Sequence, residues 1–225
     1  MTVLSLNNIY FNYNSQPVFS DLNLSLEEGE FIFLIGKSGA GKSTLLQMIY
    51  FNLLPDIGEV QLDRFNSSFV KKSELPLLRR KLGIIFQDFK LLNDRNIYDN
   101  LSFILQAVNT PAKVIKRKVT AALTDVGLFH RRFSYPKELS GGEKQRIAIA
   151  RSIINEPILI LADEPTGNLD PETSNEIVGL LLKINSRGTA VIFATHDYEV
   201  VKRYDKKIYL IDNGKLIKVS RRQNP

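Results

Sequence analysis

The chain has 225 residues, 44% of them hydrophobic and 24% charged, and a formal net charge of +6. This length suits one domain of ordinary size with a real buried core, and the balance is that of a folded soluble protein. Cysteine is absent, which excludes disulfides and thiolate metal sites. No secretory leader is expected from the first residues, and no apolar run approaches the roughly 18–20 residues that cross a bilayer.

In chain order, residues 1–35 alternate apolar and polar positions in short runs, the period of antiparallel strands. From Phe31 the pattern changes. Buried-type strands at 31–35, 83–86, 158–162 and 190–194 alternate with helical stretches from Lys42, from Glu143 and over 171–186. That alternation predicts an α/β fold with a parallel core sheet and crossover helices. Asp170–Pro171 has the chemistry of a helix start, a capping Asp before a Pro at the first helical position.

Residues 88–137 differ from the rest. Ile97, Leu101, Ile104, Leu105 and Val108 follow helical spacing, as do Ile115, Val119, Leu123 and Val126, with no strong strand among them. A helical insertion is expected there. Lys206 to Lys218 reads as a hairpin turning on Asn213–Gly214, with frayed basic residues after it. Basic clusters recur at Lys71–Lys72, Arg79–Lys81, Lys113–Lys118, Arg131–Arg132, Lys202–Lys207 and Arg221–Arg222. They suit solvated helix faces or attraction to an anionic membrane surface. No RNA- or DNA-binding pattern accompanies them, so nucleic acid is not expected as a partner.

Gly36–Lys37–Ser38–Gly39–Ala40–Gly41–Lys42–Ser43–Thr44 matches G-x-x-x-x-G-K-[ST]. It follows the apolar strand FIFLI and opens a helix, the context that separates a phosphate-binding loop from a plain glycine-rich turn. Its glycines let backbone N–H groups turn inward around phosphates, and the helix N-terminus adds positive potential. Lys42 is expected to reach the β- and γ-phosphates and Ser43 to ligate Mg²⁺. A second strand, Ile158 to Ala162, ends in Asp163–Glu164. Asp163 is expected in the Mg²⁺ shell, as in P-loop enzymes generally, and Glu164 is placed to polarise an attacking water. Gly36, Gln87, Asp163–Glu164 and His196 each follow an apolar run. In a parallel sheet that gathers them at the carboxyl edge, where open α/β folds bind ligands.

Leu139–Ser140–Gly141–Gly142–Glu143 is the other distinctive stretch. Ser140-x-x-Glu143 is a capping box for a helix continuing through Ile147, Ala150 and Ile154. A cap alone does not require two glycines, which cost backbone entropy. The same helix start is also suited to gripping a phosphate.

The loop at Gly36, the LSGGE about a hundred residues later, and the run Asp163 to Asp170 (DEPTGNLD) together resemble the ABC ATPases. The resemblance covers nearly the whole chain. It implies a single ABC ATPase domain over 1–225, with 1–87 and 138–225 forming a RecA-like P-loop core plus an antiparallel β subdomain and 88–137 a helical subdomain. It implies that Gln87 contacts metal and water in a mobile loop and that His196 is a switch residue at the γ-phosphate. It implies that Tyr13 stacks on adenine, with Phe11 as its rival for that role. Ser140, Gly141, Gly142 and Glu143 would meet ATP held by a second copy, so the expected working unit is a homodimer around MgATP.

Within the family, DEPTGNLD and the compact length resemble a group of lipoprotein-release, macrolide-export and cell-division ATPases. The segment Phe86 to Asn100, with Asp94–Arg95 and Tyr98–Asp99–Asn100, is similar to the cell-division members. That implies a peripheral ATPase on the cytoplasmic face of the plasma membrane, reaching the membrane through an FtsX-like transmembrane permease subunit and activating cell-wall hydrolysis. An exporter ATPase and a low-turnover nucleotide-gated scaffold are the alternatives. Leu91, Leu92, Ile97 and Tyr98 suit either a partner groove or ordinary core packing.

Overall fold

The computed structural model describes residues 1–219. Ten strands and seven α-helices follow in order. They are β1 (Thr2–Tyr13), β2 (Gln16–Glu27), β3 (Phe31–Ile35), α1 (Lys42–Ile49), β4 (Ile57–Leu62), β5 (Phe65–Asn66), α2 (Leu75–Arg80), β6 (Leu82–Ile85), α3 (Ile97–Gln106) and α4 (Ala112–Asp125). Then come α5 (Gly141–Ile153), β7 (Leu159–Asp163), α6 (Pro171–Asn185), β8 (Ala190–Thr195), α7 (Tyr198–Lys202), β9 (Lys207–Asp212) and β10 (Lys215–Val219).

The strands form two sheets. The larger has the order β10-β9-β3-β8-β7-β6, parallel from β9 to β6 with β10 antiparallel at its edge. The smaller is antiparallel, in the order β2-β1-β4-β5. The expected α/β fold with a parallel core sheet and an antiparallel part is the one observed.

Strand β3 explains why the sheet sits in the middle. All five of its residues are buried, as a parallel strand covered on both faces requires. Phe31, Phe33 and Ile35 pack on the face covered by α3 to α6, while Ile32 and Leu34 pack with α1 and the antiparallel sheet. β7 and β8 divide in the same way: Ile160 and Phe193 join the first cluster, Leu161 and Ile192 the second. Phe33 meets Phe31 and Phe193 edge-on at 5.2 and 5.3 Å. Truncating such a fully buried Phe to Ala costs about 3–5 kcal/mol.

The hairpin at Asn213–Gly214 is present. Both residues take positive φ, 48° and 74°, the signature of a tight two-residue turn. The expected fraying after it, at Arg221–Arg222, lies outside the described residues. Helix α5 starts at Gly141, capped by Ser140, and α6 is capped by Asp170 with Pro171 in its first turn. Four elements were not foreseen: β4, β5, α2 and α7. The two residues of β5 and five of α7 are too short to carry a period, and Pro76 masks α2, being tolerated only because it falls in the first turn.

Residues 92–96 fold around one buried side chain. Asn100 accepts from the Leu92 N–H at 2.7 Å and donates to the carbonyls of Leu92, Arg95 and Asn96. Ile97 is fully buried in the core, so it presents nothing to a partner; Leu92 is exposed.

Candidate functional site

The carboxyl ends of β3, β6, β7 and β8 share one edge because these strands run parallel. Gly36 follows β3 directly, Gln87 lies two residues beyond β6, Asp163 ends β7 with Glu164 next, and His196 follows β8. A cavity of about 230 Å³ opens there, lined by Tyr13, Ser38, Gly39, Gly41, Lys42, Ser43, Thr44, Gln87 and Glu164 among others.

The loop before α1 has the form an anion cradle needs. Gly41 sits at φ 102°, and a Cβ there would lie 2.9 Å from the Phe19 ring, so only glycine fits. Helix α1 has neither a side-chain cap nor an acid in its first turn. Its first N–H groups are therefore available to an anion. Lys42 folds over the loop, its Nζ donating to the Gly36 carbonyl at 2.8 Å and the Lys37 carbonyl at 3.3 Å.

Glu164 is held on several sides. Its Oε1 lies 3.3 Å from Lys42 Nζ and 2.9 Å from His196 Nδ1, and its Oε2 accepts from the His196 backbone N–H at 3.3 Å. Its own N–H donates to the Ala194 carbonyl at 2.9 Å. The residue adopts φ 47°, a left-handed conformation that costs a non-glycine residue free energy and concentrates at functional sites. His196 remains exposed. The neighbouring Asp197 caps α7 through the N–H groups of Glu199 and Val200, so the helix cap and His196 are separate features.

Asp163 carries the clearest signature of a hard-cation site. Its Oδ1 is buried and has no hydrogen-bond partner, and burial holds its carboxyl above the usual range, offset in part by a hydrogen bond from Ser43. An orphaned carboxylate oxygen beside a serine hydroxyl, at the mouth of a phosphate cradle, fits Mg²⁺, which takes one or two protein oxygens and completes its octahedron with phosphate and water.

The structure separates the two aromatic candidates. Phe11 is buried in the core, whereas Tyr13 is exposed at the mouth of the cavity, with the two rings edge-on at 4.8 Å.

The LSGGE residues lie elsewhere. Ser140, Gly141, Gly142 and Glu143 line a separate pocket of about 300 Å³ with Asn168, Leu169, Asp170 and Thr173; no residue of the 36–44 loop borders it. The capping box is complete: Ser140 Oγ accepts from the Glu143 N–H at 3.2 Å, and Glu143 Oε2 from the Ser140 N–H at 2.9 Å. The second glycine has a packing reason, since a Cβ on Gly142 would lie 2.6 Å from Thr173 Cγ2. One chain thus carries both halves of the predicted site on different surfaces.

Two arginines escaped the sequence reading. Arg151, on α5, donates to the carbonyls of Phe89 and Lys90 just beyond Gln87, the first at 2.6 Å. Both acceptors have positive φ, and burial pushes the guanidinium below its ordinary value. A charge amid the apolar run Ile147–Ile153 was the available signal. Arg131 bonds Glu143, and nothing local in the sequence links them.

The fold and this edge define a P-loop ATPase of the ABC class, and residues 19–167 match the ABC transporter family model; the chain belongs to that family. It is 41% identical over 219 residues to the cell division ATP-binding protein FtsE of Streptococcus pneumoniae serotype 2, covering 97% of this chain and 95% of that one. The FtsE of Bacillus subtilis is 40% identical over 217 residues, covering 96% and 95%. Among solved structures, the dimeric post-hydrolysis state of the ATP-binding cassette MJ0796 bound to ADP and Pi superposes with a TM-score of 0.84 at 32% identity, covering 95% of this chain and 96% of that one.

Proposed function

We propose that this chain is the ATP-binding and ATP-hydrolysing subunit of a bacterial cell-division assembly, working as a homodimer that acts on a separate FtsX-like transmembrane permease at the cytoplasmic face of the plasma membrane. The carrying observation is the likeness to FtsE proteins at about 40% identity over nearly the whole length of both chains.

The chemistry follows from the edge residues. The N–H groups of Lys37, Ser38, Gly39, Gly41 and Thr44 surround the phosphates, Lys42 pairs with the β- and γ-phosphates, and Tyr13 stacks on the adenine, while the Ala40 N–H closes the loop onto the Lys37 carbonyl at 3.1 Å. Ser43, Asp163 and Gln87 would hold Mg²⁺, which would neutralise charge on the phosphate oxygens. Glu164 orients a water and accepts its proton as that water attacks the γ-phosphorus and the bond to the β–γ bridging oxygen breaks. His196 steadies Glu164 and faces the γ-phosphate. Phosphates entering the loop compete with Glu164 for Lys42, so binding ATP releases the base that hydrolyses it. The LSGGE pocket of one copy supplies Ser140 to ATP on the other.

Residues 88–96 and the start of α3 form the partner surface in this reading. Two exposed aromatics flank it, Phe103 further along α3 and Phe133 in the connection between α4 and α5, and each is covered by a guanidinium, Phe103 by Arg95 and Phe133 by Arg132, at 4.4 and 4.5 Å. Purification of the tagged chain from solubilised membranes tests the assignment. The expected co-purifying species is a permease whose depletion, like that of this chain, gives filamentous or chained cells. Recovery of a lipoprotein-release or drug-export permease, with normal division on depletion, overturns it.

A further inference from the structure

The LSGGE pocket contains an electrostatic conflict. If a second copy's γ-phosphate is to approach Ser140, it approaches a helix start that carries a carboxylate, Glu143, and faces another, Asp170. Asp170 is engaged locally, by the Thr173 N–H at 2.9 Å and the Thr173 hydroxyl at 2.6 Å. Arg146, the basic residue lining the pocket, is paired with Glu176. Glu143 is ionised in its bonds: one oxygen takes the Ser140 N–H, and hydrogen bonds from that cap and the nearby Arg131 hold the carboxyl below its usual range.

The other oxygen of Glu143 meets Arg131. The guanidinium Nε lies 3.1 Å from Oε1 and reaches it from the short helical turn Phe129–Arg131, between α4 and α5. The two side chains are 41% and 22% exposed, so the pair is half-buried and screened less than a surface pair.

We propose that Arg131 is a positioning and charge-compensating residue for the shared ATP site. By neutralising Glu143 it lets the γ-phosphate held by a second copy reach Ser140, and by holding Oε1 it keeps Glu143 turned into the helix cap and away from the phosphate. Glu143 retains its capping role while its charge is hidden from the anion. The inference rests on the reading that Ser140 faces ATP bound to the other subunit.

Removing the two charges singly and together tests it. In a Glu164→Gln background, Arg131→Gln is expected to raise the protein concentration for half-maximal ATP-dependent dimerisation by about tenfold, one charge interaction of about 1.4 kcal/mol. Fluorescent-ATP binding to the dilute monomer and the melting temperature should stay at the parent values. Arg131→Lys should stay close to the parent. Adding Glu143→Gln to Arg131→Gln should restore dimerisation to within about threefold, because the uncompensated charge is then gone; salt should shrink the single-variant defect. A double variant as weak as Arg131→Gln, or an Arg131→Gln that dimerises like the parent, overturns the proposal. Ser140→Arg separates the two ideas. If it hydrolyses ATP normally, the shared-site reading fails; if it is inactive while Arg131→Gln is normal, only the role of Arg131 fails.

Discussion

Lys42 and Glu164 form a buried ion pair, Nζ to Oε1 at 3.3 Å, with both side chains about nine-tenths removed from solvent. The lysine comes from the glycine-rich loop and the glutamate from the position just after β7, 122 positions apart in sequence. In the proposed function these are the phosphate anchor and the base, and each neutralises the other until a nucleotide competes. Removing one member of such a pair leaves the other as an uncompensated buried charge.

Lys42→Ala is therefore expected to lose hydrolysis by at least about 100-fold, the scale of removing one preorganised charge stabiliser. A coupled phosphate-release assay measures it. Normal turnover would refute the phosphate-loop role.

Glu164→Gln keeps the shape of the site and removes the base. Turnover should fall by about 100-fold or more while ATP binding persists. Size-exclusion chromatography with ATP should then show a stable dimer; a variant that stays monomeric counts against the dimeric mechanism.

Ser140→Arg places bulk and charge at the α5 cap, in a pocket that no residue of the 36–44 loop lines. Equilibrium binding of a fluorescent ATP analogue by one subunit should be unchanged, and hydrolysis should stop. Continued hydrolysis would show that each chain completes its own site.

Asp163 gives a pH prediction. Burial raises its folded pKa above the unfolded value. Its contribution to stability is fully present below the ordinary carboxylate range and is lost as pH rises through the raised value. Asp163→Asn cannot ionise. It should melt with the parent at acid pH and some degrees higher at neutral pH in metal-free buffer, a gap that Mg²⁺ with nucleotide narrows. Melting curves that run parallel at every pH would exclude this.

Arg151→Ala should cost about 2–3 kcal/mol, the scale of losing hydrogen bonds to a charged donor. Amide exchange should quicken most around Phe89 and Lys90, the segment it holds to α5. Uniform protection in that segment would mean the loop is held by something else.

Much of this was legible because the signals are local. A phosphate loop needs glycine, lysine and serine at fixed offsets. A capping box sets Ser140 and Glu143 three residues apart, and the buried strands announce themselves as apolar runs. Even the gathering of Gly36, Gln87, Glu164 and His196 at one edge follows from parallel strands alone. The Tyr13 and Phe11 alternatives were not separable in that way. Both suit a strand, and only packing shows that Phe11 is core and Tyr13 faces the cavity. Ile97 likewise looked equally suited to a groove and to the core, and it is core.

The amino-acid sequence by itself determined the fold class, the glycine-rich loop between β3 and α1 and the helix start at Ser140, because each depends on side chains within a few residues of one another. Tertiary structure alone decided which charges meet: Lys42 with Glu164, Arg151 with the carbonyls beyond Gln87, and Arg131 with Glu143. Coulomb energy and hydrogen bonding depend on distance through space, and sequence separation does not set that distance. LSGGE thus helps name the family together with the Gly36 loop and DEPTGNLD, while one oxygen of its glutamate is bound by Ser140 next to it and the other by an arginine that folding brings to it.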